Sequence, residues 1–86
     1  MPTISTFMGI TITMYFDDHA PPHFHARAAE RNAKVRIDAL EVIESNLRRR
    51  ELRLVLAWAE MHAEELDSNW RLARAGVALQ AIEPLR

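Results

Sequence analysis

The fold is set by residues 10–16, which have the sequence Ile-Thr-Ile-Thr-Met-Tyr-Phe. Apolar and polar side chains alternate along this stretch up to Met14, which is the pattern of a β-strand with one buried face. A turn at Met8-Gly9 would return the chain to a partner strand at residues 4–7, because glycine tolerates the backbone angles of tight turns. This part of the chain therefore predicts an antiparallel hairpin.

Further strands are predicted in the first half of the chain. Residues 17–22 form a loop that ends in two prolines, and residues 23–27 can form a strand after it. Small and polar residues at 28–32 predict a turn, and residues 33–38 alternate again. A short strand follows at residues 40–43. Strands in this order with short connections predict an antiparallel meander of four or five strands.

The hydrophobic period changes to that of an α-helix at Arg48. One apolar stripe predicts a helix over residues 48–75, with Asn46 as its N-cap and Gly76 as its C-terminal stop. A break at Asp67-Ser68 is an alternative to one continuous helix. The stripe consists of Leu52, Val55, Leu56, Ala59, Ala63, Leu66 and Trp70.

These patterns predict a single α+β domain over residues 1–86. It would have two layers, with a small antiparallel sheet packed on one long C-terminal helix. Strands would fill most of residues 1–47, the helix would occupy 48–75, and residues 76–86 would form an extended tail or a last strand.

The composition excludes several classes of protein. The chain has 86 residues, a net charge of −1, 49% apolar residues and no cysteine. No apolar run is long enough to span a membrane, the first ten residues lack the pattern of a signal peptide, and a thiolate metal site has no ligands. We therefore expect a cytoplasmic globular protein without a strongly basic nucleic-acid surface.

Three consecutive arginines, Arg48, Arg49 and Arg50, fall in the first turn of the predicted helix. A helix N-terminus carries partial positive charge, so this arrangement costs up to about 1 kcal/mol at an exposed site unless an anion or an acidic group compensates it. The cluster is a candidate site for phosphate or for an acidic partner protein.

Leu54, Trp58 and Met61 form a second apolar stripe, roughly opposite the first on the predicted helix. One interpretation is that this stripe packs under the tail, through the apolar residues of 79–85. The other is a partner interface or a homodimer contact, because exposed patches rich in Trp and Met mark interfaces.

Three of the four histidines, His19, His23 and His25, lie close together directly after Asp17 and Asp18. On a strand His23 and His25 point to the same face, because side chains alternate. Two imidazoles on one face can form an acid–base pair or chelate a metal ion, for which His19 or an aspartate could supply the third ligand. A structural role, in which the rings bond to the loop and the aspartates, is the third interpretation.

Arg27 lies on the same predicted strand face as His23 and His25. Two imidazoles and an arginine are what a metal-independent ribonuclease needs, because the arginine stabilises the phosphate in the transition state. Our first hypothesis is therefore catalysis on RNA without a cofactor. In it His23 and His25 exchange protons with His19 in support, Arg27 binds phosphate, and the arginine cluster holds the substrate backbone.

Two further hypotheses belong to other classes of function. A binding module without catalysis would use residues 48–50 against an acidic partner and the second apolar stripe as the centre of the interface. A metal-binding domain would use the histidines as ligands, with no assigned metal.

The whole chain resembles the bacterial "domain of unknown function 4160" family. The most specific likeness is the run Asp18-His19-Ala20-Pro21-Pro22-His23-Phe24-His25-Ala26, whereas residues 28–34 depart most from the family pattern. Other matching residues are Met1 to Ser5, Phe7, Gly9, Met14 to Phe16, Arg50, Leu52 to Leu56, Trp58, His62, Glu65, Leu66, Asn69, Trp70 and Ile82 to Leu85.

The resemblance implies no established activity. Members of the family are commonly encoded beside another small domain, which implies a toxin–antitoxin-like pair. By that analogy this chain is the toxin-like member and binds a small antitoxin-like partner protein.

Overall fold

The computed structural model describes residues 2–16 and 18–85. Within them five strands precede two helices, which confirms the α+β class. The strands are β1 (Thr3–Phe7), β2 (Ile10–Thr13), β3 (His23–Ala28), β4 (Arg31–Arg36) and β5 (Val42–Ser45), and the helices are α1 (Arg49–Met61) and α2 (Ala63–Arg74). Neither of the helices described here is long and apolar enough to cross a lipid bilayer.

All five strands pair antiparallel in one sheet, in the order β1-β2-β3-β4-β5, which confirms the meander. Met8 and Gly9 connect β1 to β2, and both have positive φ angles, 49° and 78°. A two-residue hairpin loop of type I′ requires such angles at both positions. The turn predicted at residues 28–32 is shorter in the structure, because Ala28 pairs with Arg31 and extends both strands.

The two faces of the sheet differ because side chains alternate along each strand. One face is apolar and shares the hydrophobic core with α1 and α2. The other face is polar, and Thr13, His25 and Lys34 are neighbours on it across β2, β3 and β4. The strands, with the residues that directly follow β2 and β4, contribute to the core Ile4, Phe7, Ile10, Ile12, Met14, Phe24, Ala26, Ala28, Ala33, Val35 and Ile37.

The prediction of one long helix is wrong, because the structure has two helices that meet at His62 and not at Asp67-Ser68. A helix over residues 48–75 would be about 42 Å long. The longest dimension of the molecule is 33 Å, so an unbroken helix would extend beyond the sheet. The break returns Leu66 and Trp70 to the core but leaves Ala63, which the predicted stripe included, exposed.

The start of α1 also differs from the prediction. Arg48 is the N-cap, and its backbone N–H donates to Glu51 Oε1 over 2.8 Å. Asn46 instead pairs with Asn32 of β4, whose N–H donates to Asn46 Oδ1 over 2.7 Å. Glu51 also receives two hydrogen bonds from the Arg31 guanidinium. Glu51 therefore places a negative charge at the N-terminus of α1, where it is favourable, but its ion pair is with Arg31 of β4 and not with the three arginines of the first turn.

The tail after α2 is extended and forms no strand within residues 77–85. The side-chain amide of the buried residue Asn69 both donates to and accepts from the backbone of Gln80, over 2.8 and 2.9 Å. The Ile82 N–H donates to the Ile4 carbonyl of the edge strand β1 over 2.8 Å. These bonds hold the tail across α2 and against the sheet.

Trp58 lies in the centre of the core and is fully buried. Its ring contacts those of Phe7 and Phe24, with centroids 5.5 and 5.9 Å away, and its Nε1–H donates to the Glu83 carbonyl over 2.8 Å. The tail therefore covers Trp58, as the first interpretation of the second apolar stripe expects.

We expect Glu51→Gln to make folding less sensitive to acid. The Arg31 guanidinium and the Arg48 N–H lower the pKa of Glu51 to about 2 from its usual 4.5. A carboxyl with a lowered pKa contributes stability above its unfolded value, and this stability is lost as the pH falls through the folded value. Urea denaturation between about pH 5 and pH 2 should therefore show a smaller loss in Glu51→Gln than in the wild type. Glu60→Gln, an exposed change on α1, is the control, and equal losses in Glu51→Gln and the wild type would contradict the expectation.

Trp58→Phe should lower the free energy of unfolding by about 1–3 kcal/mol, because it leaves the Glu83 carbonyl without the indole N–H and removes buried volume. Met61→Leu, at an exposed position of α1, should stay within about 0.5 kcal/mol of the wild type in the same denaturation experiment. If Trp58→Phe altered the assembly state in size-exclusion chromatography and left stability unchanged, the core assignment would be wrong.

Candidate functional site

Asp18, His23 and His25 form a cluster where the proline loop enters β3. Asp18 Oδ2 lies 2.9 Å from His23 Nε2 and 3.5 Å from His25 Nε2. One potential ligand atom of each residue lies within 4.8 Å of the other two. The two rings are nearly perpendicular, with centroids 5.2 Å apart. The alternation of β3 places both imidazoles on the polar side of the sheet, and the loop brings the carboxylate to them.

His23 is the buried member of the cluster, with 4% of its side chain exposed. Its Nδ1 lies 2.6 Å from the Pro21 carbonyl, which can only accept, so Nδ1 carries a proton. Its Nε2 faces the Asp18 carboxylate. The indole of Trp70 packs against the ring, with centroids 5.4 Å apart. The ring is therefore fixed in orientation, with Nε2 directed at the centre of the cluster.

Two hydrogen bonds, each of which involves a backbone atom, hold Asp18 in place. The His19 N–H donates to Oδ1 over 3.1 Å, which leaves Oδ2 facing the two imidazoles. The guanidinium of Arg74 in α2 donates to the Asp18 carbonyl over 2.9 Å. The second helix thus ties the loop to the body of the protein, although 56 residues separate Arg74 from Asp18.

His25 is the more accessible of the two clustered histidines, with 27% of its side chain exposed. The Tyr15 ring meets it edge-on at 4.6 Å between centroids. Across the strands it is paired with Thr13 on one side and Lys34 on the other. His25 therefore joins the cluster to the open polar face of the sheet.

The protonation states of the cluster follow from its environment. Burial acts to raise the pKa of Asp18, but the charge of His23 and hydrogen bonds from His25 and the His19 backbone outweigh it and lower that pKa. Burial lowers the pKa of His25 below 6.5, the charges of His23 and Lys34 add to the effect, and the Asp18 contact only opposes it. At neutral pH Asp18 is therefore ionised and His25 is neutral.

The other predicted members of the histidine site are arranged differently. His19 is exposed and contributes its backbone N–H to the cluster. Arg27 lies on the same face as His25, but its Nε–H donates to the Ala29 carbonyl over 2.9 Å, toward the β3–β4 turn. Asp17 lies outside the described residues.

The arginine cluster at residues 48–50 lies toward the other end of the sheet from the histidines. Arg31, which binds Glu51 near the start of α1, and Arg36, which pairs with His23, are five residues apart on β4. Five residues of strand span about 16 Å. The structure therefore separates Arg48, Arg49 and Arg50 from the histidine site, and all three are exposed.

The predicted partner-interface residues are not brought together on the surface. Trp58 is buried in the core, Leu54 is partly buried against it, and Met61 is 70% exposed. A shared exposed patch with Trp58 at its centre does not form in this fold, because the tail and the sheet enclose the indole.

Four residues around the cluster were not singled out from the sequence as site residues: Tyr15, Lys34, Trp70 and Arg74. The pairing register of β3 and β4 would have placed Lys34 opposite His25. Trp70 fits the core stripe, so its spacing gave no sign of a contact with His23. Arg74 reaches the loop only through the placement of α2.

The geometry of the cluster suits a metal ion. Ligand atoms bound at about 2.0–2.2 Å from one ion lie about 3–3.5 Å from each other. The two distances from Asp18 Oδ2 already fall close to this range. Ionised Asp18 and neutral His25 are forms that bind a metal directly, whereas a proton on His23 Nε2, which faces the Asp18 carboxylate, would be released when an ion binds.

Fold and site together define a small α+β protein with a cluster of two histidines and one carboxylate beside the polar face of its sheet. The family model described as "Domain of unknown function (DUF4160)" matches residues 9–71, well over half of the chain. The chain therefore belongs to this family, which confirms the resemblance. Searches of the curated proteins and of the solved structures find no match to the chain.

NMR of the metal-free protein labelled with 15N should find a slowly exchanging proton on His23 Nδ1, because the ring is buried and Pro21 offers only an acceptor. The exposed ring of His19 is the internal control, and its N–H protons should exchange too fast to be seen. A His23 ring with its only proton on Nε2 would contradict this orientation.

Proposed function

We propose that this protein binds one divalent transition-metal ion through Asp18 Oδ2, His23 Nε2 and His25 Nε2. The observation that carries the proposal is their convergence within 4.8 Å. Two of the ligands are also oriented through their second polar atom. His23 donates Nδ1–H to a backbone carbonyl, and Asp18 accepts a backbone N–H on Oδ1. Such contacts fix the tautomer and direction of metal ligands in proteins.

The ligand set narrows the class of ion. Imidazole suits zinc, copper, iron and nickel, whereas Mg²⁺ and Ca²⁺ prefer oxygen ligands. Three protein ligands leave at least one coordination position for water or substrate, which is typical of catalytic metal sites. Asp18 and His25 are 20% and 27% exposed, so the open side of such a site is accessible from solvent. An ion here would act as a Lewis acid toward a bound water or substrate oxygen.

The geometry supports a metal site better than proton transfer between His23 and His25. Both ring nitrogens of His23 already face protein acceptors, and only 4% of its side chain is exposed. A general acid or base must come within hydrogen-bond reach of the substrate. Action on RNA and pairing with an antitoxin-like protein stay predictions from the sequence.

Cobalt titration of the untagged, metal-free protein tests the proposal. We expect one equivalent of Co²⁺ to bind the wild type with visible absorption bands, and zinc to displace it. Asp18→Asn and His25→Ala each remove or weaken a ligand, so each should reduce affinity at least about tenfold. His25 is preferred to His23 for substitution because it is less buried.

His19→Ala is the matched control, because it removes a neighbouring exposed imidazole and keeps the backbone N–H that orients Asp18. It should bind cobalt as the wild type does, and circular dichroism should show that all variants are folded. Failure of the folded wild type to take up cobalt or zinc, or equal uptake by His25→Ala and Asp18→Asn, would refute the proposal.

A further inference from the structure

The metal-binding cluster borders a cleft of about 180 Å³ on the polar side of the sheet. Asp18 and His23 line it together with the cations Lys34 and Arg36 and the carboxylate of Glu41, among others. Lys34 also lines a second cleft, on the side of His25. A molecule in either cleft would therefore meet a ligand of the cluster and the same ammonium group.

Lys34 is the only lysine of the chain. It lies directly across from His25 in the sheet, and its side chain is 33% exposed. Its ammonium is 3.8 Å from Glu44 Oε1, which is too long for a hydrogen bond, and the Glu44 side chain is 73% exposed. Such a surface pair is weak and can be exchanged for another anion at little cost.

The neighbouring Arg36 is bound more firmly. Its guanidinium donates to both carboxylate oxygens of Asp38, over 2.5 and 3.1 Å. Paired hydrogen bonds of this kind fix the geometry of an arginine. Of the two cations that line the smaller cleft, Lys34 is thus the one whose contact within the protein is easier to replace.

We propose that the site takes an anionic phosphoryl group, with one oxygen on the metal ion and another on the Lys34 ammonium. This inference rests on the proposed metal site. A divalent ion bound by one carboxylate and two neutral imidazoles keeps positive charge, and Lys34 adds to it. Phosphoryl groups carry negative charge on several oxygens, so a metal ion and a lysine can each bind one.

The polar face extends the site beyond the phosphoryl group. A cleft of about 380 Å³ on the other side of His25 is lined by Thr11, Thr13, Tyr15, Arg27 and Asn32, among others. Hydroxyl, amide and guanidinium groups can bind the remainder of a phosphate ester. The occupant we infer is accordingly a phosphate ester, whose phosphoryl group lies at Lys34.

Phosphate titration of the cobalt-loaded protein tests the inference. Inorganic phosphate is the probe, and the visible cobalt spectrum and calorimetry are the readouts. Lys34→Gln should bind cobalt as the wild type does but should bind phosphate about tenfold more weakly or worse, because it loses a charged hydrogen bond. Lys34→Arg keeps the charge and should retain most of the affinity.

Arg50→Gln is the matched control, because it removes one positive charge at the exposed cluster on α1. It should bind phosphate as the wild type does. Equal phosphate affinity in Lys34→Gln and the wild type would overturn the inference, as would a loss in Arg50→Gln alone or undiminished phosphate binding without metal. Failure of the wild type to bind cobalt or zinc would instead overturn the proposed metal site itself.

A competition experiment distinguishes a phosphate monoester from a phosphate diester as the source of the phosphoryl group. Adenosine 5′-monophosphate presents a monoester and the dinucleotide ApA a diester. Displacement of phosphate by either compound supports the inference. The compound that binds more tightly shows whether the site prefers a monoester or a diester. Competition by neither, at concentrations where phosphate binds, would overturn the assignment of a phosphate ester.

Discussion

The alternation of side chains along β3 is the constraint on which both the fold and the site depend. Phe24 and Ala26 are buried against the helices, so the strand cannot shift by one residue without exposing them. That register forces His23 and His25 to the opposite face. The hydrophobic core therefore determines the direction of the imidazoles, and any chemistry at the cluster relies on apolar packing on the far side of the strand.

The loop before β3 completes the site because distant parts of the chain hold it. Arg74 binds the Asp18 carbonyl, and Trp70 packs on the His23 ring. Both residues belong to α2, which exists as a separate helix because the chain bends at His62. The tail then anchors α2 through Asn69. The bend at His62, the tail and the loop before β3 thus together position the Asp18 carboxylate and the His23 imidazole.

Electrostatic compensation differs between the two charged regions of the protein. Near the start of α1, Glu51 pairs with Arg31, so the positive charge of Arg31 needs no external partner. At the polar face, the ion pair between Lys34 and Glu44 is long, with 3.8 Å between the charged atoms. The Lys34 ammonium therefore lies near an ionised aspartate, Asp18, and a neutral histidine, His25. Such a site suits an anion that binds together with a metal ion, or after it.

The sequence by itself determined the number and meander order of the strands, the hairpin at Met8-Gly9 and the shared face of His23 and His25, although β5 begins two residues later than predicted because Leu40 lies in the turn before it. These features follow from local periodicity and turn chemistry, which neighbouring residues decide. It also indicated the covered position of Trp58 as one of two interpretations, since a stripe alone does not show what lies over it.

Only the tertiary structure decided that Asp18 joins the histidines, that His19 contributes a backbone N–H, and that the arginines of α1 lie toward the other end of the sheet. It also decided the helix break, because the length of a helix that can pack on the sheet is a property of the whole domain. Loop conformation, strand register and contacts between residues far apart in the chain set these features, and no local pattern encodes them.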